Sequence, residues 1–563
     1  LPLSNDKKYL HVAFGKNDNG DHLYKKINKY LELESYSSED FTPLYSKTKY
    51  DAIIISYHGS SSSPYASNII PPEIVADINK ISKNNNIILN LFLNPYSLNS
   101  FKSIDNFETI VISYQNNIIS QEITADLLYG IRSFKGKIPV SNNFYSVNHG
   151  MSLLRKNIIG FSRPSYEGFD YNSLAYLDSI AKNAIDSMMT PGIQMLVSRK
   201  GKIVYNKSFG YHTYENLNKL ENDHIFDLSS ITKILATMPL VLQEYEKGKL
   251  SLETKLSQLF PKTKLNDKGD ISLKEMLSHY ARLRPWIPFY EETLNKKDKP
   301  RSRFYKSNSR SSFSTPVTEN LFLKSNYREK IFKSILDSEL REDLEYKYSD
   351  LPFYFLKFWF EDIYDKPLDV LAYERVFKTL GLKRTMFNPH EKINLDEIVP
   401  SERDDFFRYS KLHGYVHDEG AAMLGGISGH AGLFSNSYEV AVVLQTMIQK
   451  GAYNNQKLFS SDSFDTFNYC YYCDKDNRSG VGFDKPQIEG NHGSTFGGVS
   501  SNSFGHFGYT GSMAWADPEE EIIFVFLSNR TYPTRENTLL QTSNIRTRSQ
   551  EIVYKSLIDS EWK

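Results

Sequence analysis

At 563 residues the chain is long enough for two to four domains. Its 40% hydrophobic and 24% charged residues are typical of a globular protein with an ample core. Basic and acidic residues number 67 each, so no bulk attraction to nucleic acid or to an anionic membrane is expected. No apolar run reaches about 18 residues, so we expect no membrane-spanning helix, and no signal peptide is visible.

Residues 1–145 alternate apolar, strand-like runs with amphipathic, helix-like stretches. The predicted strands are Tyr9–Gly15, Asp51–Tyr57, Asn86–Asn94 and Thr109–Tyr114, and the predicted helices are Asp21–Leu33, Pro72–Lys83 and Gln121–Ile131. Apolar strands between helices indicate a parallel sheet covered on both faces, which is a parallel α/β sandwich domain. The serine-rich loop His58–Pro64 would lie at the ligand-binding edge of such a sheet, as a binding loop or as a plain surface loop.

Several short motifs of this first part resemble the second, α/β domain of family 3 glycoside hydrolases. They are Ser56-Tyr57, Asn94-Pro95-Tyr96, Ser113-Tyr114-Gln115-Asn116 and Gly136-Lys137-Ile138-Pro139-Val140. The resemblance assigns residues 1–148 to that domain. The family's catalytic barrel normally precedes it, and the Lys-His-Phe-x-Gly-His-type segment of that barrel is absent, so this domain alone is not expected to hydrolyse sugars. The chain begins at Leu1 without Met, so an upstream glycosidase barrel of the same gene product is a candidate partner.

A second globular unit is expected over residues 171–563, after a linker at residues 149–170. The sequence predicts a hairpin from Gly192–Arg199 and Lys202–Gly210, and terminal strands at Phe504–Tyr509, Met513–Asp517 and Glu521–Ser528. The predicted helices are Leu174–Met188, Ile231–Lys247, Leu273–His279, Leu351–Phe360 and Arg546–Ser560. This order indicates an α+β unit in which the first hairpin joins the last strands in one antiparallel sheet flanked by helices.

Two further segments are interpreted without a catalytic role. Residues 291–328 are polar and rich in Lys, Arg and Ser, and we interpret them as a long surface insertion, with a phosphate or polyanion patch as the alternative. Two thiols, Cys470 and Cys473, cannot complete a structural zinc site. A local disulfide or two unreactive thiols are the remaining interpretations.

The stretch around Ser230 carries the first candidate catalytic pair. Ser230 and Lys233 are three residues apart, so on a helix they lie on one face, with the amine within reach of the hydroxyl. A lysine whose pKa is lowered by burial can take the serine proton and make the hydroxyl a nucleophile. The same spacing occurs at Ser4–Lys7 and Ser46–Lys49, so the pair alone also fits a solvated helix start.

Two downstream segments offer the remaining parts of a serine-based site. Tyr348 opens a Tyr-Ser-Asp run just before a predicted helix, and a tyrosine there can pass a proton to a leaving group or simply pack. The glycine-rich segment Phe504–Ser512 can approach a substrate closely. A backbone N–H of that segment can join the Ser230 N–H in an oxyanion hole.

Together these segments resemble the serine β-lactamase and penicillin-binding-protein superfamily, in particular class C β-lactamases and their esterase and amidase relatives. The shared order is Ser-x-x-Lys, then Tyr-Ser-Asp, then His-x-Gly before a terminal strand. Further matching segments are Leu277–His279, Pro288–Tyr290, Leu380–Phe387, Val416–Glu419 and Gly425–Phe434. The resemblance covers residues 171–560 and implies a β-lactamase/transpeptidase-like fold.

The resemblance also implies a role for each matching residue. Ser230 matches the acylated serine, Lys233 its partner base, and Tyr348 the tyrosine that shuttles protons. Asp350 stands where the family often has an asparagine that touches substrate amides, and it is therefore expected to bind substrate.

The third segment departs from the β-lactamase pattern. His506, which we include in the catalytic set, stands where β-lactamases have the lysine of Lys-Thr-Gly. Histidine is mostly neutral at pH 7, so a permanent cation for a β-lactam carboxylate is missing, and Asp350 adds negative charge. Both departures argue against efficient β-lactamase activity. Gly508 and Tyr509 are expected to contact substrate, with the Tyr509 N–H as the second oxyanion donor.

The pairing of the two domains implies a role in peptidoglycan turnover, with a small molecule or a peptidoglycan fragment as substrate. A family 3 glycosidase piece of this kind resembles those that release N-acetylglucosamine from cell-wall fragments, and β-lactamase-like amidases cut between N-acetylmuramic acid and L-alanine. The leading hypothesis is an N-acetylmuramoyl-L-alanine amidase of the bacterial periplasm or cell envelope, acting through an acyl-enzyme on Ser230. The alternatives are a carboxylesterase, a D-amino-acid peptidase and a non-catalytic peptidoglycan-binding protein.

Neither a cofactor nor a metal is expected. His430 and the pair Asp418-Glu419 carry ligand-type side chains, but no second histidine lies at ligand spacing. We interpret these three residues as structural groups at the edge of the substrate pocket.

Overall fold

The computed structural model describes residues 1–4, 6–15, 20–37, 50–59, 69–488 and 493–558. The chain divides into two units, Leu1–Gly160 and Phe161–Lys563, each with its own hydrophobic core. The division falls within residues 149–170, the segment interpreted as a linker. No helix in the described ranges is both long enough and apolar enough to cross a lipid bilayer.

The first unit is built on a parallel five-stranded sheet. In spatial order its strands are Leu33–Ser37, Tyr9–Gly15, Ala52–His58, Ile87–Phe92 and Thr109–Ile112. Its helices are Asp21–Ile27, Pro72–Ser82 and Ile118–Tyr129, with a 3₁₀ turn at Pro95–Ser100. Successive side chains of a strand face opposite sides, so Leu10 and Val12 pack in one hydrophobic cluster and Tyr9 in another. The predicted parallel α/β architecture is confirmed.

One strand of this sheet is missing from the sequence-based prediction. Leu33–Ser37 forms an edge strand, whereas the sequence predicted a helix running from Asp21 to Leu33. The helix ends at Ile27. Only Leu33 of the edge strand is buried, so the strand lacks the apolar run that marks a central strand. Of the predicted loop His58–Pro64, only His58 and Gly59 belong to the described residues, and its binding role stays a prediction.

The second unit is organised around an antiparallel sheet. In spatial order its main strands are Phe504–Phe507, Met513–Asp517, Ile522–Ser528, Gly192–Arg199 and Lys202–Gly210. The first strand of the hairpin pairs with the last strand of the chain, with Arg199 opposite Ile522 and Ile193 opposite Ser528. The prediction that the first hairpin joins the terminal strands in one sheet is confirmed.

Helices cover both faces of this antiparallel sheet. The helix Tyr176–Asp186 has one apolar face, because its buried residues recur at three- and four-residue spacing: Leu177, Ile180, Ala181 and Ala184. It packs with Ile545–Lys555 on one side of the sheet. Ser437–Ile448 lies on the other side, where the Ser437 N–H donates to the Gln194 side chain at 3.0 Å.

The second unit contains further, mostly short elements besides these main strands and helices. The other strands are Gly160–Phe161 at the unit boundary, Phe226–Asp227, Tyr305–Lys306, Thr315–Thr318, Leu321–Leu323, Met386–Phe387, Glu402–Asp404, Ser410–Leu412, Leu433–Ser435, Ala452–Tyr453 and Gln456–Lys457. The other α-helices are Tyr171–Leu174, Met238–Glu246, Leu256–Leu259, Leu273–Leu277, Tyr327–Asp337, Leu351–Tyr364, Leu368–Ala372, Lys378–Leu380, Glu419–Ala422, Ser461–Asn468 and Leu539–Thr542. Shorter turns are the π-helical Lys233–Thr237 and Tyr373–Phe377 and the 3₁₀ turns Pro164–Glu167, Ser229–Ile231, Asn266–Lys268, Glu291–Thr293, Pro389–Glu391, Leu395–Glu397 and Cys473–Lys475.

The polar segment 291–328 is more ordered than the surface loop that we predicted. Its strands Tyr305–Lys306, Leu321–Leu323 and Thr315–Thr318 form a three-stranded antiparallel sheet. Tyr305, Val317 and Leu323 are buried within it. These few apolar residues anchor the segment, but they are too widely spaced to produce an alternating strand pattern in the sequence.

Candidate active site

The candidate nucleophile Ser230 lies in a tight turn rather than in the body of a helix. The turn Ser229–Ile231 is 3₁₀, and Ser229 has a φ of 47°, a left-handed conformation that is uncommon outside glycine. The carboxylate of Asp227 holds this turn, because it accepts the Ser229 N–H at 2.8 Å and the His417 N–H at 2.6 Å. The turn leaves Ser230 half-buried.

Lys233 begins a π-helical turn, Lys233–Thr237, where the sequence predicted a continuous α-helix from Ile231. The Lys233 carbonyl accepts the N–H of Met238, five residues further on. Pro239 follows and has no N–H for an α-helical bond, so the regular helix begins only at Met238. The Lys233 side chain is fully buried. Such π segments are frequent at functional sites.

Two predicted site residues, Lys233 and Tyr348, contact the hydroxyl of the third, Ser230. The Lys233 Nζ atom donates to Ser230 Oγ at 2.7 Å. The Tyr348 hydroxyl, from a segment 118 residues away in the chain, donates to the same oxygen at 3.0 Å. The serine proton can therefore reach either neighbour through a single hydrogen bond.

Asp350 makes an ion pair that the sequence did not indicate. Its Oδ1 atom lies 2.7 Å from Lys233 Nζ, and its side chain is 20% exposed. The lysine also donates to the His430 carbonyl at 3.3 Å. Asp350 thus contacts the candidate base directly, and it also lines a small pocket. Its role in substrate binding stays a prediction.

Burial controls the protonation of these groups. Burial lowers the pKa of Lys233 below its ordinary value, although the Asp350 carboxylate opposes this shift. Burial also raises the pKa of Tyr348 well above its ordinary value, and the charge of Asp350 adds to the effect, so the phenol stays protonated at neutral pH. Lys233 is therefore the neighbour suited to accept the serine proton.

His506 lies beside Tyr348 on the strand Phe504–Phe507. The two rings have centroids 5.8 Å apart, and His506 Nδ1 forms a 2.7 Å hydrogen bond with the Phe507 carbonyl. Burial, together with the nearby charge of Lys233, holds the pKa of His506 well below its ordinary value. The ring is neutral at neutral pH and supplies no fixed positive charge.

The chain after this strand packs tightly against the turn of the nucleophile. A Cβ on Gly508 would lie 2.7 Å from the Leu228 carbonyl oxygen, so glycine is needed for the close approach. The Thr510 hydroxyl donates to the Asp227 carbonyl at 2.9 Å and fixes the same contact. The Gly508 N–H donates to the Ser512 carbonyl at 2.9 Å, so it is not available to a substrate.

Two backbone N–H groups remain open beside the nucleophile. Neither the Ser230 N–H nor the Tyr509 N–H donates a hydrogen bond to another residue of the described ranges. The carbonyl of the following peptide, that of Tyr509, accepts two hydrogen bonds from the Arg530 guanidinium, at 2.7 and 3.0 Å, and this holds the backbone just after the N–H in place. Two fixed, unpaired N–H donors are what an oxyanion hole requires.

Two residues that support this site, His279 and Asp227, were assigned no role from their sequence context. The ring of His279 lies 4.8 Å from that of Tyr348, and its Nδ1 atom accepts the Ser349 N–H at 3.2 Å. Burial lowers the pKa of His279 to about 3, so it acts as a neutral acceptor that fixes the peptide next to Tyr348. The position of His279 within the matching segment Leu277–His279 could have indicated a role in the site. Asp227 could not have been recognised in this way, because the sequence shows there only an acidic residue between two apolar ones.

Metal-ligand side chains do not cluster in the described part of the chain. No group of three His, Cys, Asp or Glu residues suited to a metal ion is present there. His430 Nε2 lies 2.9 Å from Asp418 Oδ1, and both residues line a pocket with Asp350. Cys470 and Cys473 form a local disulfide, one of the two states that the sequence left open.

Comparisons with known proteins agree with this architecture. Residues 178–545 match the family model described as "Beta-lactamase". Two relatives, from Salmonella enteritidis PT4 (strain P125109) and Salmonella typhimurium (strain LT2), are both named "Putative D-alanyl-D-alanine carboxypeptidase" and are 31% identical over 405 residues. The aligned part covers 67% of this chain and 87% of each relative. A solved penicillin-binding protein homologue from Caulobacter crescentus shares the fold at 15% identity, with a TM-score of 0.50 over 69% of this chain and 99% of that one.

The fold and these comparisons define a serine hydrolase with β-lactamase-like architecture. The chain belongs to the Beta-lactamase family, whose model covers more than half of its length. The resemblance found in the second part of the sequence is thereby confirmed. The resemblance of residues 1–148 to a glycoside hydrolase domain, and the upstream barrel, stay predictions.

Proposed function

We propose that this hydrolase cleaves an amide bond of peptidoglycan-derived peptides through an acyl-enzyme on Ser230. The observation that carries the proposal is the double contact at Ser230 Oγ, with Lys233 Nζ at 2.7 Å and the Tyr348 hydroxyl at 3.0 Å. A serine hydroxyl becomes an effective nucleophile when a positioned neighbour takes its proton. Both possible proton carriers, Lys233 and Tyr348, lie within hydrogen-bond distance of Ser230 Oγ.

In the acylation step Lys233 takes the proton of Ser230. The burial that lowers the Lys233 pKa favours the neutral amine that this step needs. Ser230 Oγ attacks the substrate carbonyl carbon, and a tetrahedral intermediate forms. Tyr348, protonated because burial raises its pKa, gives a proton to the leaving amine and regains one from Lys233.

The backbone supplies the charge stabilisation in this mechanism. The open N–H groups of Ser230 and Tyr509 would donate to the oxygen of the tetrahedral intermediate. A water molecule then attacks the acyl-enzyme, and the same proton carriers act in reverse to release the acid. Loss of a single donor of this kind typically costs about a hundredfold or more in kcat.

Two amide bonds of peptidoglycan are candidates for cleavage. The name of the 31% identical relatives supports a bond next to a D-amino acid. The resemblance of the first unit to a glycoside hydrolase domain supports the bond between N-acetylmuramic acid and L-alanine. Either substrate would place the enzyme in the bacterial cell envelope.

The neutral state of His506 bears on this choice. A carboxypeptidase must hold the terminal carboxylate of its substrate, and a neutral imidazole in a buried position offers no charge for that purpose. This favours an amide whose leaving group does not end in a carboxylate next to the cut. It also disfavours β-lactams, which carry a carboxylate near the reacting ring.

Product analysis with matched substrates tests the proposal. Muramyl dipeptide, a peptide ending in D-Ala-D-Ala, a D-amino-acid amide and a short p-nitrophenyl ester are incubated with wild type and with Ser230→Ala. We expect wild type to cleave at least one of the amides and Ser230→Ala to cleave none. Cleavage of the ester alone would support a carboxylesterase instead, and equal activity of the two proteins would refute catalysis at Ser230.

A further inference from the structure

A pocket of about 300 Å³ lies beside the end of the strand Phe504–Phe507, the outermost strand of the antiparallel sheet. Phe507 lines it, together with two arginines, Arg478 and Arg546. The other lining residues are uncharged and mostly polar, and they include Ser494, Gln541 and Asn544. The pocket is therefore separate from the candidate catalytic groups, and its only charged lining residues are cations.

The charge of Arg478 is balanced within the protein. Its Nη2 atom lies 2.8 Å from Asp484 Oδ1, and its Nε atom donates to the Lys485 carbonyl at 3.1 Å. Arg478 therefore forms a neutral pair with Asp484 and adds little net charge to the pocket.

Arg546 brings a positive charge that no carboxylate balances. Its guanidinium donates to the Ser512 carbonyl at 3.3 Å and lies 4.5 Å from the centre of the Phe507 ring. Among the described residues no acidic side chain forms an ion pair with it. Burial lowers the pKa of Arg546 to about 10, and the positive charge of Arg530 adds to this shift, so the group is charged at neutral pH.

The position of Arg546 makes this charge costly. It lies in the first turn of the helix Ile545–Lys555, where the helix dipole disfavours a cation and where no acidic residue is present. A partly buried cation without a counter-charge is unfavourable. An anionic group bound in the pocket would supply the missing charge.

The pocket lies on the side of the site from which the leaving group departs. In the proposed mechanism Tyr348 protonates the leaving amine, and its ring lies 5.8 Å from that of His506. His506 is followed directly by Phe507, which lines the pocket. Arg478 provides a second link, because its guanidinium lies 5.7 Å from the ring of Tyr346, close before Tyr348 in the chain. A leaving group that extends from Tyr348 past His506 therefore points towards this pocket.

We propose that the pocket binds a carboxylate on the second residue of the leaving peptide, with Arg546 as its charged partner. A guanidinium and a carboxylate form short, charge-assisted hydrogen bonds. His506 is neutral and offers no charge next to the cut, whereas Arg546 lies further out, against Phe507. Two extended residues span about 7 Å, so the second residue can pass the His506 ring.

The inference names the leaving group of the proposed function and rests on acylation at Ser230. Cleavage of a D-Ala-D-Ala bond releases a single amino acid, whose carboxylate is next to the cut. Cleavage between N-acetylmuramic acid and L-alanine releases a peptide whose second residue can carry a free carboxylate, as it does in muramyl dipeptide. The pocket therefore favours the second of the two candidate bonds.

The test compares muramyl dipeptide with its carboxamide, in which –CONH₂ replaces the free carboxylate. The two substrates share the bond to be cut and differ by one charge at pH 7. With release of N-acetylmuramic acid as the readout, we expect wild-type kcat/KM to be at least about tenfold higher for the acid, a typical effect of hydrogen bonds to a charged group. Arg546→Gln should lose most of this preference, mainly through a higher KM for the acid. Arg546→Lys, which keeps a cation, should retain part of it.

Arg548→Gln is the matched control. Arg548 lies on the same helix, but its side chain is exposed and does not line the pocket. This control should keep the wild-type preference. The inference is overturned if wild type cleaves the carboxamide as fast as the acid, or if Arg546→Gln slows both substrates by the same factor.

Calorimetry with Ser230→Ala separates failure of the pocket from failure of the proposed function. Muramyl dipeptide and its carboxamide are titrated into this variant and into Ser230→Ala combined with Arg546→Gln. Tighter binding of the acid that disappears in the double variant supports the pocket even if wild type hydrolyses neither compound, a result that would remove the proposed function alone. Equal binding of the two compounds, or no detectable binding of either, overturns the pocket.

Discussion

The carboxylate of Asp350 lies 2.7 Å from the amine of Lys233, and the same amine lies 2.7 Å from the hydroxyl of Ser230. The lysine is thus held between a carboxylate that favours its charged form and a hydroxyl that can react only with its neutral form. Burial lowers the Lys233 pKa more than Asp350 raises it. Asp350 therefore sets the pH range in which the lysine can act as a base.

Replacement of Asp350 by asparagine should move the pH profile of kcat/KM. The active form of the free enzyme has neutral Lys233, so the rate rises as pH rises through the lysine pKa. Asp350→Asn removes a group that raises this pKa. We expect the acidic limb of the profile to shift to lower pH.

The matched control is Asp178→Asn. Asp178 also pairs with a lysine, Lys207, at 2.7 Å, in an ion pair outside the site. It should leave the acidic limb unchanged. An acidic limb that stays in place or moves to higher pH in Asp350→Asn would show that Lys233 is not the titrating base.

Tyr348→Phe should slow the chemistry with little effect on folding. The change removes the hydroxyl that donates to Ser230 Oγ at 3.0 Å and keeps the buried ring. General acid–base groups contribute about a hundredfold to ten-thousandfold, so we expect kcat to fall by about a hundredfold or more. Tyr305→Phe is the control. It removes another buried tyrosine hydroxyl, which forms a hydrogen bond with the Thr293 hydroxyl at 2.8 Å. A Tyr348→Phe enzyme with wild-type kcat would exclude the tyrosine from proton transfer.

Gly508→Ala should damage the site through packing alone. The new methyl group would meet the Leu228 carbonyl at 2.7 Å and push the strand away from the nucleophile turn. Overpacking of this kind costs about 1–3 kcal/mol, so we expect a lower Tm together with reduced kcat/KM. Gly269→Ala, whose Cβ would have its nearest neighbour at an ordinary 3.7 Å, serves as control. Unchanged Tm and activity in Gly508→Ala would mean that the close approach is not needed.

A fluorescent penicillin should react slowly with this enzyme. Burial keeps His506 neutral, so the position offers no cation for the penicillin carboxylate. We expect a fluorophosphonate to label Ser230 much faster than the penicillin does. His506→Lys should raise the rate of labelling by penicillin relative to the rate of labelling by the fluorophosphonate. The fluorophosphonate rate is the control, because it reports whether Ser230 is still reactive in the variant. Rapid penicillin labelling of wild type would show that a cation at this position is unnecessary.

The sequence predicted the elements with strong periodicity and missed those set by tertiary contacts. The hairpin Gly192–Arg199 and Lys202–Gly210 has its predicted bounds, because alternating apolar residues and a Lys-Gly turn mark it locally. The edge strand Leu33–Ser37 carries no such pattern and was predicted as the end of a helix. The order in segment 291–328 comes from a few dispersed anchors, which a local pattern cannot reveal.

The same division holds for the site. The order of the motifs predicted that Ser230, Lys233 and Tyr348 lie in one site, and in the structure the Lys233 and Tyr348 side chains both contact Ser230 Oγ. The π turn at Lys233 and the Asp350 ion pair depend on how distant segments pack, so spacing could not predict them. Their catalytic roles remain predictions for the experiments above.

Covalent labelling of Ser230 tests the central claim most directly. Wild type and Ser230→Ala are treated with a fluorophosphonate, and intact mass together with peptide mapping locates the adduct. An acyl-enzyme mechanism predicts one adduct per wild-type chain, on Ser230, and none on Ser230→Ala under the same conditions. A wild-type chain that stays unlabelled, or an adduct of equal yield on Ser230→Ala, would contradict nucleophilic catalysis by this serine.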